Sequence, residues 1–243
     1  MSAQSCLAEN LSHYMRLSDT DRELLARFEK EDRAVPRQTD IRREGDENDT
    51  LFAVRKGWLY SFIDFPDGRR QIVKVHVPGD LIGFPELAYE RVASSLRSCS
   101  AAIICPFPKA HVHDVIRESS RLAAAMLTVA TRDQVLLIDR LRATGRMNAR
   151  ERIAHFLLDA LARLRVFRGP DIVRFELPMS QQEIGDAVGL TNVYVSKTFA
   201  ALERDNLIKR HAGAEIELLD EGALCRIADF NDRYRLLDTT WFS

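Results

Sequence analysis

A polar run near the C-terminal end of the sequence carries side chains suited to hydrogen bonding with nucleic acid. It offers an amide, a hydroxyl and an ammonium group for base edges and phosphates, with a valine and a tyrosine ring for thymine methyl groups. These residues are Asn192, Val193, Tyr194, Ser196 and Lys197. With Ser180, Gln181 and Thr191 ahead of them, they form the predicted DNA-contact set.

Two short helices joined by a tight turn are predicted to position this set. Three apolar residues recur at i, i+3 and i+4, as one buried helix face requires, at Ile184, Ala187 and Val188. Gly189 stands where a helix ends in a left-handed turn, and Thr191 is a natural N-cap for a second helix. The second helix would bury Val195, Phe199 and Leu202. This pattern predicts a helix-turn-helix, whose second helix fits a DNA major groove, although helix pairs with a glycine turn also occur in ordinary α-helical cores.

The motif and its surroundings resemble the Crp/Fnr family of bacterial transcription regulators. The family pattern stands here as Gln182-Glu183-Ile184-Gly185, Val188-Gly189, Val195-Ser196, Leu202-Glu203 and Asn206-Leu207-Ile208, followed by a predicted hairpin from Leu207 to Leu219. The resemblance extends from about residue 18 to about residue 230. It implies base contacts from Asn192, Val193, Ser196 and Lys197. Because relatives usually carry Glu and Arg where Val193 and Lys197 stand, the operator is expected to differ from the family's familiar one.

The resemblance also implies a fold and a set of partners. The expected fold is α+β: an N-terminal antiparallel double-stranded β-helix (jelly-roll) sensor domain, a long dimerisation helix, and a C-terminal winged helix-turn-helix. The predicted divisions are 1–118 for the sensor, 119–147 for the helix and hinge, 148–230 for the DNA-binding domain and 231–243 for a tail. Expected partners are a second copy of the chain, double-stranded DNA with a palindromic operator, and RNA polymerase if the protein is an activator.

Composition is consistent with a soluble two-domain protein. The 243 residues carry a net charge of −1, with 46% hydrophobic and 29% charged residues, so any basic DNA-binding surface must be local. No apolar run approaches the roughly 20 residues that span a bilayer, and a cytoplasmic location is expected. The four scattered cysteines suit a reducing compartment. Cys99 and Cys105 are interpreted as buried thiols, with a redox pair as the alternative.

The sequence before the motif changes from strands to one long helix. Short strands broken by Gly45, Pro66-Asp67-Gly68 and Pro78-Gly79 indicate an antiparallel barrel or jelly roll, which matches the family's sensor domain. A helix without interruption is predicted from Ser119 to Arg142, and its apolar surface is too broad for one contact. By resemblance the second contact is the same helix of another subunit; a wholly intramolecular core helix is the alternative. The predicted dimerisation residues are Leu122, Met126, Val129, Leu136, Leu137 and Leu141.

The ligand of the sensor domain is not evident from these residues. Cyclic-AMP-binding relatives hold the ligand with a Gly-Glu pair, an Arg and polar residues on the dimer helix. The candidate effector residues here are Gly83, Phe84, Glu86, Arg91 and Leu137, and they lack that pattern, so cyclic AMP is not expected. Only Cys6 lies near the N-terminus, so a four-cysteine iron–sulfur cluster is not expected. Haem through His76, His111 or His113 is a further alternative. No cofactor and no metal site are predicted.

Two other classes of function compete with a DNA-binding regulator. A cupin-like enzyme would need several His and carboxylate ligands at the barrel mouth, and the strands from Leu51 to Val77 contain only His76. A ligand-binding signalling module that acts on a protein partner would bind no DNA. No catalytic residue is predicted.

Overall fold

The structure is a computed structural model that describes residues 5–242, and the chain divides into two compact units. The first contains the chain up to Ser61, His76–Gln134, and the chain from Leu237 onward. The second contains Phe62–Val75 and Val135–Leu236. No helix in the described part of the chain is long and apolar enough to cross a membrane.

Two four-stranded sheets form the N-terminal half, as the strand pattern predicted. The strands are β1 (Arg33–Val35), β2 (Asp40–Arg42), β3 (Thr50–Lys56), β4 (Leu59–Asp64), β5 (Arg70–His76), β6 (Leu81–Ile82), β7 (Ser95–Ser98) and β8 (Ala102–Pro108). Their orders are β1-β8-β3-β6 and β2-β7-β4-β5. The pairs β1–β8, β3–β8, β3–β6 and β2–β7 are antiparallel. A buried apolar cluster drawn from both sheets, including Val54, Leu59 and Ile104, fills the interior.

Three helices flank the sheets: α1 (Cys6–Ser12), α2 (Asp19–Phe28) and α3 (His111–Glu118). Helix α2 begins with the predicted cap, in which the Ser18 and Asp21 side chains each accept a hydrogen bond from the other's backbone N–H. Helix α1 was not predicted. Its buried residues, Leu7 and Leu11 among them, join a second core cluster with Leu25 and Phe107.

The arrangement of the cysteines corrects one interpretation. Cys99 and Cys105 are both buried, as expected, but Cys105 forms a disulfide with Cys6 and not with Cys99. The two Cα atoms of that disulfide are 6.4 Å apart and the residues are separated by 99 positions in the sequence. Cys99 and Cys225 do not take part in this disulfide. The interpretation of Cys105 as a buried thiol is therefore wrong, and the alternative pairing with Cys99 is not the one that forms.

The predicted long helix is present as α4 (Ser120–Arg146), which is 27 residues long. It continues through Gly145, where the sequence indicated an interruption, and the break before the next helix falls at Met147 and Asn148. Helix α5 (Ala149–Arg168) starts with the predicted capping box between Asn148 and Glu151.

The second unit contains the helix-turn-helix and a small sheet. Its further elements are β9 (Arg174–Glu176), α6 (Gln181–Val188), α7 (Asn192–Arg204), β10 (Ile208–His211), β11 (Glu215–Leu218) and α8 (Glu221–Ala228). The sheet order is β10-β11-β9, and both pairs are antiparallel. The hairpin turns at Ala212–Ala214, and Asp220 caps α8, as the sequence predicted.

The tip of the β4–β5 hairpin belongs to this second unit. The Gln71 side chain donates to the carbonyl oxygen of Asp186 in α6 at 2.7 Å. Arg163 of α5, itself 3% exposed, donates to the carbonyl oxygen of Val75 at 2.7 Å. Arg140 of α4 donates to the carbonyl oxygen of Val73 at 3.0 Å. These bonds attach the hairpin directly to the helices of the second unit.

Candidate nucleic-acid interface

The first helix of the motif is fixed at both ends by its own sequence. At its start the Ser180 hydroxyl accepts from the backbone N–H of Glu183 at 3.1 Å, and the Glu183 carboxylate accepts from the Ser180 N–H at 2.7 Å. At its end Gly189 adopts φ 69° and ψ 43°, a left-handed conformation that costs glycine little. The hydroxyl of Ser180, a predicted DNA contact, is therefore already engaged as a helix cap.

An arginine outside the motif holds the turn. The Arg152 guanidinium of α5 donates to the carbonyl oxygens of Val188 and Gly189, each at 3.2 Å, and to that of Met147 at 2.8 Å. The last carbonyl groups of a helix have no hydrogen-bond partner within the helix. A cation at this end donates hydrogen bonds to them and interacts favourably with the negative end of the helix dipole. The sequence does not indicate this role, because Arg152 is one of several arginines close together in the chain, and only the fold shows that α5 passes beneath the turn.

Helix α7 has a buried face and an exposed face. Val195, Phe199 and Leu202 are at most 3% exposed and pack inward. Val193 and Tyr194 are 55% and 59% exposed, which is unusual for large apolar side chains on a helix that packs well on its other side. The predicted polar contacts are also exposed: Gln181 at the start of α6, and Asn192, Ser196 and Lys197 on α7. Thr191 caps the helix by accepting from the Tyr194 N–H at 3.4 Å.

The predicted effector residues differ in their burial and in their hydrogen-bond partners. Gly83 adopts φ 101°, and Phe84 is buried. The Glu86 carboxylate is buried and accepts from the Arg42 guanidinium, the Ala93 N–H and the Ser94 hydroxyl. Arg91 is exposed and donates to the Gly45 carbonyl oxygen at 2.9 Å, and Leu137 is 52% exposed. Glu86 is thus neutralised by its own chain.

Two of the three histidines considered for haem have protein partners. His76 is buried, with its Nε2 atom 2.8 Å from the Ser61 hydroxyl. His111 stacks on Phe28 with ring centroids 4.4 Å apart, and its Nδ1 atom lies 3.2 Å from the Asp114 carboxylate. His113, two residues along the same helix, is exposed.

The predicted dimerisation set divides into buried and exposed residues. Leu122, Met126, Val129 and Leu136 are at most 8% exposed within their own chain, so they are not available as an outward face. Leu137 and Leu141 are 52% and 66% exposed, and Leu127 and Ile138, which were not in the set, are 55% and 63% exposed. The chain's own core therefore takes the stripe that contains Leu122, Met126 and Val129, a choice that the sequence alone does not show.

Comparison with known proteins connects both units to one family. A model described as a cyclic nucleotide-binding domain matches residues 32–119, and one described as a Crp-like helix-turn-helix domain matches residues 151–227. The nitrogen fixation regulation protein FixK of Bradyrhizobium diazoefficiens is 35% identical over 178 residues, covering 73% of each chain. The transcriptional activatory protein AadR of Rhodopseudomonas palustris is 30% identical over 203 residues, covering 84% of this chain and 83% of that one.

The chain belongs to the Crp/Fnr family of transcription regulators. A solved structure of FixK2 from Bradyrhizobium japonicum has the same fold, with a TM-score of 0.73 over 81% of this chain and 96% of that one, at 23% identity. As in other members of the Crp/Fnr family, a sheet-rich domain precedes the helix-turn-helix, with a long helix between them in the sequence.

Proposed function

We propose that this Crp/Fnr regulator binds DNA by inserting α7 into the major groove. The observation that carries the proposal is the exposed side of α7, where Val193 and Tyr194 are each more than half exposed beside Asn192, Ser196 and Lys197. An α-helix with polar and methyl-contacting side chains on one side suits direct reading of base edges. The buried opposite side and the capped turn keep that helix rigid.

The regulator works as a homodimer joined along α4. Exposed residues recur there at alternating steps of four and three, as a coiled-coil seam requires: Leu127, Thr131, Gln134, Ile138, Leu141 and Gly145. Leu127, Ile138 and Leu141 supply the apolar surface, and the polar Thr131 and Gln134 suit register selection. A second copy of the chain covers this seam, because a self-complementary apolar stripe favours an isologous contact.

A two-fold pair of α7 helices calls for a palindromic operator. Half-sites are expected about one helical turn apart, roughly 34–36 Å. Because its target is chromosomal DNA, the protein acts in the cytoplasm. RNA polymerase is a further partner if the protein activates transcription. Cyclic AMP is not the effector, since Phe84 stands where a carboxylate would be needed and Glu86 is bonded to Arg42.

Selection of bound sequences from a random duplex pool tests this function. The full-length protein should enrich a palindrome under reducing conditions, without added cyclic AMP. A variant carrying Asn192→Ala, Val193→Ala and Lys197→Ala together should enrich nothing, although it folds. Enrichment of the same palindrome by that triple variant would show that α7 does not read the bases, and failure of the native protein to enrich any sequence would refute the proposal.

A further inference from the structure

Three potential metal ligands from distant parts of the sequence meet inside the first unit. Cys6 is the first residue of α1, Glu29 follows the end of α2, and Cys105 lies in β8. The two sulfurs and a carboxylate oxygen of Glu29 all lie within 4.8 Å of one another. Cys6 and Cys105 are 1% and 0% exposed, and Glu29 is half-buried.

The Glu29 carboxylate is oriented by the first turn of α1. One of its oxygens, Oε1, accepts from the backbone N–H of Leu7 at 2.6 Å. The Ser5 side chain also donates a hydrogen bond to this carboxylate. The carboxylate is therefore fixed beside the sulfurs and does not extend into solvent as an ordinary surface glutamate would.

We propose that Cys6, Cys105 and Glu29 bind one thiophilic divalent ion of the zinc class when the cysteines are reduced. Two thiolates and a carboxylate place negative charge in a buried site, and such a site requires a compensating cation. Sulfur and carboxylate oxygen are both ligands that zinc accepts, and three protein ligands leave one position for water. Tetrahedral geometry with zinc–sulfur bonds of about 2.3 Å needs sulfurs about 3.8 Å apart. Rotation about the Cα–Cβ bonds of Cys6 and Cys105 can move the sulfurs to that separation while the two Cα atoms stay 6.4 Å apart.

The disulfide is the oxidised, metal-free form of the same site. With a hydroperoxide as oxidant, the two thiolates each lose one electron and form the sulfur–sulfur bond, while the O–O bond of the peroxide breaks. For hydrogen peroxide, the two electrons and two protons from solvent give two water molecules, and the divalent ion leaves unchanged in charge. Either form ties α1 to β8, but only the reduced form also binds Glu29. The site thus exchanges a metal ion for a disulfide according to redox conditions.

Cobalt binding to the reduced full-length protein tests the site directly. Titration with Co²⁺ should produce a thiolate-to-cobalt charge-transfer band that saturates at one ion per chain and disappears when Zn²⁺ is added. Cys6→Ser and Cys105→Ser should each weaken binding by roughly tenfold or more and reduce the band. Glu29→Gln should keep the thiolate band and weaken the affinity. Cys99→Ser and Cys225→Ser are the matched controls, because neither cysteine belongs to the proposed ligand group, and they should bind as the native protein does.

Two results would overturn the assignment. The first is the absence of a band in the reduced native protein, and the second is an undiminished band in Cys6→Ser. Circular dichroism of each variant establishes that it is folded, and Cys6→Ala serves in place of any variant of Cys105 that fails to fold. Addition of hydrogen peroxide to the zinc-loaded native protein should release one ion for each Cys6–Cys105 disulfide found by peptide mapping. Release of the ion with no such disulfide would refute the exchange.

Discussion

Gly185 lies directly against the carbonyl oxygen of Leu190: a β-carbon added to Gly185 would stand 2.4 Å from that oxygen. The same two residues are joined by a hydrogen bond of 3.0 Å from the Leu190 N–H to the Gly185 carbonyl. The turn of the helix-turn-helix therefore closes over a position where no side chain fits.

Gly185→Ala should destabilise the second unit by about 1–3 kcal/mol, because the backbone of the turn must move to admit the methyl group. It should also weaken operator binding, since α7 begins immediately after that turn. Thermal unfolding and DNA titration measure the two effects. Gly222→Ala in α8 is the matched control: its new β-carbon would meet only side-chain atoms at 3.5 and 3.6 Å, so we expect a gain of up to about 1 kcal/mol. Equal losses of stability in Gly185→Ala and Gly222→Ala would contradict the steric explanation for Gly185.

Lys197→Ala should weaken specific DNA binding by roughly 1–3 kcal/mol, because it removes an exposed cation from the side of α7 that is proposed to enter the groove. Lys56→Ala removes an equally exposed cation from the end of β3 and should leave the affinity unchanged. Fluorescence anisotropy with the selected operator at fixed salt gives both values. Unchanged binding by Lys197→Ala would remove this residue from the interface.

Val193→Glu should change which base is preferred at one position of each half-site. Valine offers only methyl contact, whereas a glutamate carboxylate can accept a hydrogen bond from the amino group of cytosine. Repeating the duplex selection with this variant should enrich cytosine at a single symmetric pair of positions. A set of enriched sequences identical to that of the native protein would mean that residue 193 does not contact a base.

Ile138→Glu should convert the proposed dimer to a monomer, since it places a charge in the exposed seam of α4, where Ile138 is 63% exposed. Ile116→Glu is the matched control, because Ile116 is 57% exposed on α3, outside the seam. Sedimentation equilibrium distinguishes the two states. A monomeric native protein, or a dimeric Ile138→Glu protein, would contradict the proposed seam.

The pair between Arg165 and Glu221 should make the second unit sensitive to acid. Two hydrogen bonds, of 2.6 and 2.8 Å, join the guanidinium of α5 to the carboxylate of α8 and lower the pKa of Glu221. A carboxyl group with a lowered pKa in the folded state contributes stability above its unfolded pKa, and that contribution is lost as the pH falls through the folded value.

Glu221→Gln should therefore cost about 1 kcal/mol at neutral pH, a figure already reduced for the partial exposure of Glu221, and the cost should vanish in acid. Urea titrations at several pH values give the difference. Glu176→Gln, on the exposed face of β9, should have little effect at any pH. A cost for Glu221→Gln that did not depend on pH would point to packing and not to charge.

The helix-turn-helix could be predicted from sequence because its signals are local. Ser180, Gly189 and Thr191 act on backbone groups within four residues of themselves, and each is a cap where the sequence placed one. The apolar spacing of Val195, Phe199 and Leu202 likewise fixes the buried side of α7 without reference to the rest of the chain.

Features that depend on distant contacts could not be predicted in the same way. Cys6 and Cys105 meet only because α1 packs beside β8, and nothing within either segment indicates the other. On α4, the choice between Leu122 and Leu127 as the outward residue depends on where the chain's own core contacts the helix. Arg152 has a sequence environment like that of its arginine neighbours, and its role depends on the turn that lies above it.

The hydrogen bond from Arg163 to the Val75 carbonyl limits how the protein can be divided into fragments. Expression of residues 148–230 alone would remove the β4–β5 hairpin. Arg163, which is 3% exposed in the full chain, would then lose its hydrogen bond to the Val75 carbonyl oxygen. It would also remove the Gln71 side chain that bonds the carbonyl of Asp186. The isolated DNA-binding domain would therefore be less stable than the same domain in the full chain. DNA affinities measured on it would be lower than those of the full-length regulator.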